Sequence, residues 1–139
     1  MRLMPITTLL LVAACSTPPA IERPDITTSM LAAAPTENKG VSSKLLSGVE
    51  LGGEVNLPGY QLRARAVTIE PGGYTAAHVH QGRPTQEYVA QGTVVEVRNG
   101  KPIRHVAGTM VQGVNGVHHW WENHGREPVV LVPVDVFKP

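Results

Sequence analysis

One cysteine, one phenylalanine and two tryptophans stand among 139 residues, and charged side chains make up only 17% of the chain. The single cysteine, Cys15, excludes an intrachain disulfide and leaves the folded part of the chain without a thiolate ligand. With aromatics at 4%, the core rests on Val, Leu and Ile. Twelve basic residues against eleven acidic ones exclude a polybasic face for nucleic acid or membrane. No apolar run approaches the roughly 18 residues that a membrane-spanning helix needs. Helical periodicity, a phosphate-binding loop, a dinucleotide fingerprint, a CxxC pair and internal repeats are all missing. The chain is rich instead in glycine and proline, 14 and 12, and is long enough for one domain.

Turn residues divide short β-branched runs. Pro71-Gly72-Gly73 is a turn signal, Tyr88-Val89 and Thr93 to Val97 are separated by Gln91-Gly92, and Asn99-Gly100 closes the second run. Gly108, Gly113, Asn115 and Gly116 punctuate a further series that ends in Val129 to Val132. This pattern predicts an all-β fold of antiparallel strands, preceded by a lead-in strand or hairpin over Val41 to Leu57 with Gly52-Gly53 as its turn. His78 and His80 are two apart, so on a strand both imidazoles point to one face. Neutral imidazole is the commonest protein ligand for a transition metal, and two on one strand with a third from elsewhere form one side of a coordination shell.

Gly72, His78, His80 and Gly92 follow the spacing G-x5-H-x-H-x3/4-E-x6-G, with Thr85 in the Glu position. Gly108, Gly116, His119 and Asn123 follow G-x5-P-x-G-x2-H-x3-N, with Val114 in place of proline. On these residues, and on His80-Gln81-Gly82-Arg83-Pro84 and His119-Trp120-Trp121-Glu122-Asn123, the chain resembles small single-domain cupins over Tyr60 to Phe137. The resemblance implies a small antiparallel jelly-roll barrel over residues 41–139, with a divalent transition metal held by His78, His80 and His119. Fe, Mn, Zn and Ni are not distinguished by imidazole ligands. It also implies a homodimer through edge strands.

With His119 inward, as the resemblance implies, parity turns Trp121 and Asn123 inward as well and His118, Trp120 and Glu122 outward. Thr85 is a poor ligand, so the fourth position falls to Glu87, which has the same parity, to Glu96 on the next strand, or to water. Arg83 is a candidate to clamp a ligand's carboxylate or phosphate, or else a solvated loop residue. Tyr74, Tyr88 and Trp121 are candidate pocket residues, with plain core as the alternative. His105 and His124 are expected to be isolated and exposed, and Asn123 to stabilise a turn.

At the N-terminus, Arg2 and a short apolar run precede Val12-Ala13-Ala14-Cys15, which resembles the lipobox of bacterial lipoproteins. That resemblance implies a signal peptide over residues 1–14, lipidation at Cys15, and anchoring in the cell envelope. Ser16 after the cysteine directs such proteins to the outer membrane of a Gram-negative cell. Removing residues 1–14 takes away one charge, Arg2, and leaves 11 basic against 11 acidic residues. The Pro- and Ser-rich stretch 15–40 is expected to be a flexible tether, with at most a brief helix over residues 26–34. The expected function is metal-dependent chemistry on a small polar molecule, of oxygenase or isomerase type. The alternative is a non-catalytic module that captures a small ligand or metal. Neither involves nucleic acid, and contact with membrane is through the lipid anchor only.

Overall fold

The computed structural model describes residues 34–139. The expected signal, Cys15, most of the tether and nearly all of the brief helix lie outside these residues. Nine strands and one short helix follow in order: β1 (Lys39–Glu50), α1 (Leu51–Val55), β2 (Gln61–Tyr74), β3 (His78–Val79), β4 (Thr85–Gln91), β5 (Thr93–Arg98), β6 (Lys101–Val106), β7 (Met110–Gly113), β8 (His118–Glu122) and β9 (Val129–Phe137). All pairings among them are antiparallel, in the order β6-β5-β8-β2-β9-β4-β7, with β1 added to β2 and β3 to β8. The sheet curls on itself as an all-β jelly roll. No helix among the described residues is long and apolar enough to cross a membrane.

Local chemistry explains the punctuation. Asn99 and Gly100 both have positive φ, 48° and 78°, which is the two-residue turn whose twist matches a β-hairpin, here β5 to β6. Alternation then sorts the side chains. On β4, Thr85, Glu87 and Val89 are buried while Gln86, Tyr88 and Ala90 are exposed, and β9 alternates between buried and half-buried from Val129 to Asp135. The main core joins Ile69, Val89, Val94, Val111, Trp121, Val129 and Leu131, each side chain contributing about 1.5–3 kcal/mol by leaving water.

Two expectations need correction. Gly52-Gly53 is not a turn but lies inside α1, and the chain reverses afterwards through Asn56 at φ 53° and Gly59 at φ 76°. β1 is thus the lead-in strand, one of the two expected forms, and it pairs along its length with β2. Trp120 and Glu122, expected to face outward, are buried, because β5 is covered on both faces and its Val95 and Val97 form a second cluster with Trp120. Parity named their side of the strand correctly; what covers that side was not visible in it.

Candidate metal centre

His78 lies directly across from His119 in the β3–β8 ladder, and His80 follows one residue beyond the end of β3. Glu87 comes from the inward face of β4. One ligand atom from each of His78, His80, Glu87 and His119 can be chosen so that all lie within 4.8 Å of one another. His80 and His119 are sealed, at 1% and 0% exposure, and Glu87 is 5% exposed. Glu87 is thus buried on the same face of β4 as Thr85, as their shared parity requires.

Each imidazole has its Nδ1 engaged. His78 Nδ1 donates to the Ala76 carbonyl at 2.9 Å, and His119 Nδ1 to Glu96 Oε1 at 2.6 Å. The Thr85 hydroxyl donates to the Arg83 carbonyl at 3.1 Å, so it accepts from His80 Nδ1 at 2.8 Å. These partners assign the tautomers and leave all three Nε2 lone pairs free. Thr85, a poor ligand in the expected Glu position, acts here by orienting a ligand candidate. Glu96 is likewise not in the cluster: it sits behind His119 and also receives His105 Nε2 at 2.9 Å and Arg98 Nη1 at 3.1 Å. Burial pushes the Glu96 carboxyl up, but the hydrogen bonds from His119 and His105 outweigh this and hold it below its ordinary value.

The cluster fits a cation. His80 Nε2 and His119 Nε2 face each other at 2.8 Å. Burial, with His119 and His78 nearby, lowers His80 to about 4, so its ring is neutral at pH 7 and its Nε2 lone pair is available to a cation. His78 is lowered in the same way, chiefly by burial. Glu87 Oε2 is buried with no hydrogen-bond partner and lies 3.8 Å from His119 Nε2. A divalent cation satisfies all of these atoms together, and hard-to-intermediate metals accept this donor set.

A cavity of about 320 Å³ adjoins the cluster, lined among others by Arg65, Thr75, His78, Arg83, Glu87 and Trp121. Arg83 and Trp121 line this cavity, and Trp121 is at the same time part of the main core. Tyr88 is a correction: it is 40% exposed on the opposite face of β4, because the alternation that buries Glu87 turns its neighbour out. Tyr74 does not line the cavity either. His105, expected to be exposed and isolated, is half-buried, bonded to Glu96 and packed on Trp121 with ring centroids 5.6 Å apart. His124 is exposed but bonded to Glu122 at 2.7 Å. Asn123 bonds the Ile69 and Glu127 carbonyls and the Gly125 N–H, closing the turn after β8. Gly113 was missed altogether: a Cβ there would lie 2.6 Å from the His80 ring.

Glu87 yields a pH-dependent prediction. In the metal-free protein burial pushes its carboxyl up from 4.5 to about 7, with His119 opposing the shift. Between those values the folded chain keeps a proton that the unfolded chain has released. The stabilisation is therefore complete below pH 4.5 and is lost as the pH rises through about 7, an effect on the order of 3 kcal/mol. Glu87→Gln removes this term while His80 titrates in both proteins and cancels. Denaturant midpoints of metal-free protein should show the variant gaining on the wild type from about pH 5 to about pH 8. Parallel curves would place the carboxylate in water.

An antiparallel jelly roll with an inward cluster of three histidines and a glutamate defines a class of β-barrel proteins able to hold a metal between their sheets. Residues 65–137, more than half of the chain, match the cupin domain family, and the chain belongs to it. Solved structures agree on the fold. A predicted oxalate decarboxylase from Thermotoga maritima is 22% identical with a TM-score of 0.61, over 76% of this chain and 89% of that one. A sugar phosphate isomerase from Silicibacter pomeroyi is 21% identical with a TM-score of 0.54, over 72% of this chain and 61% of that one. The cupin domain of a transcriptional regulator from Enterobacter cloacae is 15% identical with a TM-score of 0.57, over 73% of this chain and all of that one. No curated protein matches the chain.

Proposed function

We propose that this cupin is a metal-dependent enzyme of the bacterial envelope that acts on a small polar molecule by isomerase- or oxygenase-type chemistry. The observation that carries the reading is the convergence of three free imidazole nitrogens and the unpartnered Glu87 Oε2 beside a cavity. A divalent transition metal held by His78, His80, His119 and Glu87 would supply Lewis acidity, and iron or manganese a redox couple as well. His80 and His119 are the sealed anchors. His78 and Glu87 are the two members on the cavity wall, so a ligand approaches from their side. Glu87 would be either the fourth ligand or, with the metal on the three histidines alone, a general base beside it, and the second role suits an isomerisation.

Non-catalytic capture of a ligand is the second reading, favoured by the lack of a second carboxylate beside Glu87 among the residues lining the cavity. The names of the similar structures span both readings, one being a predicted oxalate decarboxylase, one a sugar phosphate isomerase and one a regulator's domain. Aldose–ketose interconversion and oxygen uptake, assayed with panels of small sugars and acids on metal-loaded and metal-stripped protein, separate them. Turnover by the loaded form alone supports the enzyme; binding without turnover across the panels supports capture.

The lipobox resemblance supports anchoring through Cys15, with two or more acyl chains needed because one alone binds marginally. Cys15→Ser should move the protein from the membrane to the soluble fraction on cell fractionation, with its fold unchanged. Retention on the membrane would rule out this anchor. Leu45, Leu46 and Val49 on β1 and Leu62 on β2 are exposed, which supports a homodimer through this face.

A further inference from the structure

Two arginines, Arg65 and Arg83, line the cavity beside the cluster, and the carboxylate outside the cluster that both approach, Asp135, does not satisfy them. Asp135 on β9 is buried at 1% exposure, and Arg63 takes both of its oxygens, through Nε at 3.1 Å and Nη2 at 2.8 Å. Arg65 lies two residues further along β2 and reaches only Oδ2, the oxygen already bonded to Arg63 Nη2, at 3.6 Å. Arg83, in the turn between β3 and β4, reaches the same oxygen at 3.8 Å. Neither distance is a hydrogen bond. Arg65 Nε and the Trp121 indole N–H are both enclosed with no acceptor, and both side chains line the cavity.

We propose that Arg65 and Arg83 form an oxyanion-binding site, which holds the carboxylate or phosphate of a small organic acid while the rest of that molecule faces His78 and Glu87. The side chains of the two arginines are 26% and 32% exposed, so an anion can reach them, yet they are shielded enough for the charge to count. Planar guanidinium forks from two separate elements match the oxygens of such an anion. Burial and the neighbouring Arg63 weigh against the charge on Arg65, and an arriving anion relieves both. Asp135 and Glu87 oppose both only in part, so Arg65 stays below its ordinary value. A volume of about 320 Å³ is at the small end of ligand pockets, which fits a small acid. The site deepens the proposed function and rests on it only for the ligand's orientation.

Malonate and inorganic phosphate, titrated calorimetrically into the full-length chain at fixed ionic strength, test the site and separate its two ligand classes. Wild type should bind at least one of them, one per chain. Arg65→Gln and Arg83→Gln should each weaken binding about tenfold or more, and Arg104→Gln, an equal charge change at an exposed position on β6, should not. Should Arg65→Gln fail to fold, Arg83→Gln and Arg65→Lys decide the matter. Arginine-dependent binding that persists in chelator-stripped protein supports the site even if no metal is ever found. Binding that needs zinc but ignores both arginines overturns it and leaves the metal reading intact. Failure of wild type to bind either probe, or equal weakening by Arg104→Gln, also overturns it.

Discussion

His119→Ala should retain less than about a tenth of the metal that wild type carries at the same free metal concentration, whereas His118→Ala should retain all of it. The two residues are neighbours with opposite fates. His119 is fully buried, its Nε2 faces that of His80, and its Nδ1 is held by Glu96. His118 is exposed on the other side of β8. Removing the His119 ring deletes one of four donors and also strips Glu96 of its shortest hydrogen bond, so both affinity and stability should fall. Metal content of the two dialysed variants is the measurement. Equal losses would mean that the register of β8 against β3 is wrong by one residue.

Gly113→Ala is the second large effect, from a residue with no functional group. Gly113 pairs with Thr85 in the β4–β7 ladder, and the His80 ring lies flat against its backbone, with ring atoms 2.6–2.7 Å from where a Cβ would be. That contact cannot be made, so the ring must move, and it is tethered to Thr85 on one side and faces His119 on the other. Overpacking of this kind costs about 1–3 kcal/mol, and a displaced ligand should cost about tenfold or more in metal affinity. Paired thermal melts with and without metal separate the two, since metal should raise the wild-type midpoint more than that of the variant. A variant with unchanged metal affinity would show that His80 is not a ligand.

Residue spacing made the outline legible. Glycine and asparagine marked the turns, and two-residue periodicity put Glu87 on the face of Thr85 and His118 on the face opposite His119. The same rule, applied one residue further, would have turned Tyr88 outward, but its aromatic character suggested a pocket. What periodicity cannot supply is which strands meet. The place of His105 beside Glu96 depends on the β5–β6 register, where Val94 faces His105 and Glu96 is its diagonal neighbour. The crowd of arginines around Asp135 depends on β2 lying against β9, 72 residues apart at Arg63 and Asp135. Gly113 reads as one more turn glycine until β7 is set beside β4 and His80 is seen against it. Sequence shows the side of a strand; long-range pairing decides what stands there.

Metal content per chain, measured by elemental mass spectrometry on protein folded in its own cellular compartment and purified without chelator, tests the central claim most directly. One equivalent of a divalent transition metal in wild type, falling to background in the His78→Ala, His80→Ala, His119→Ala triple variant with the barrel still folded, is the predicted result. Wild-type protein that is folded yet carries less than a tenth of an equivalent and takes up none of Fe, Mn, Zn or Ni would contradict it.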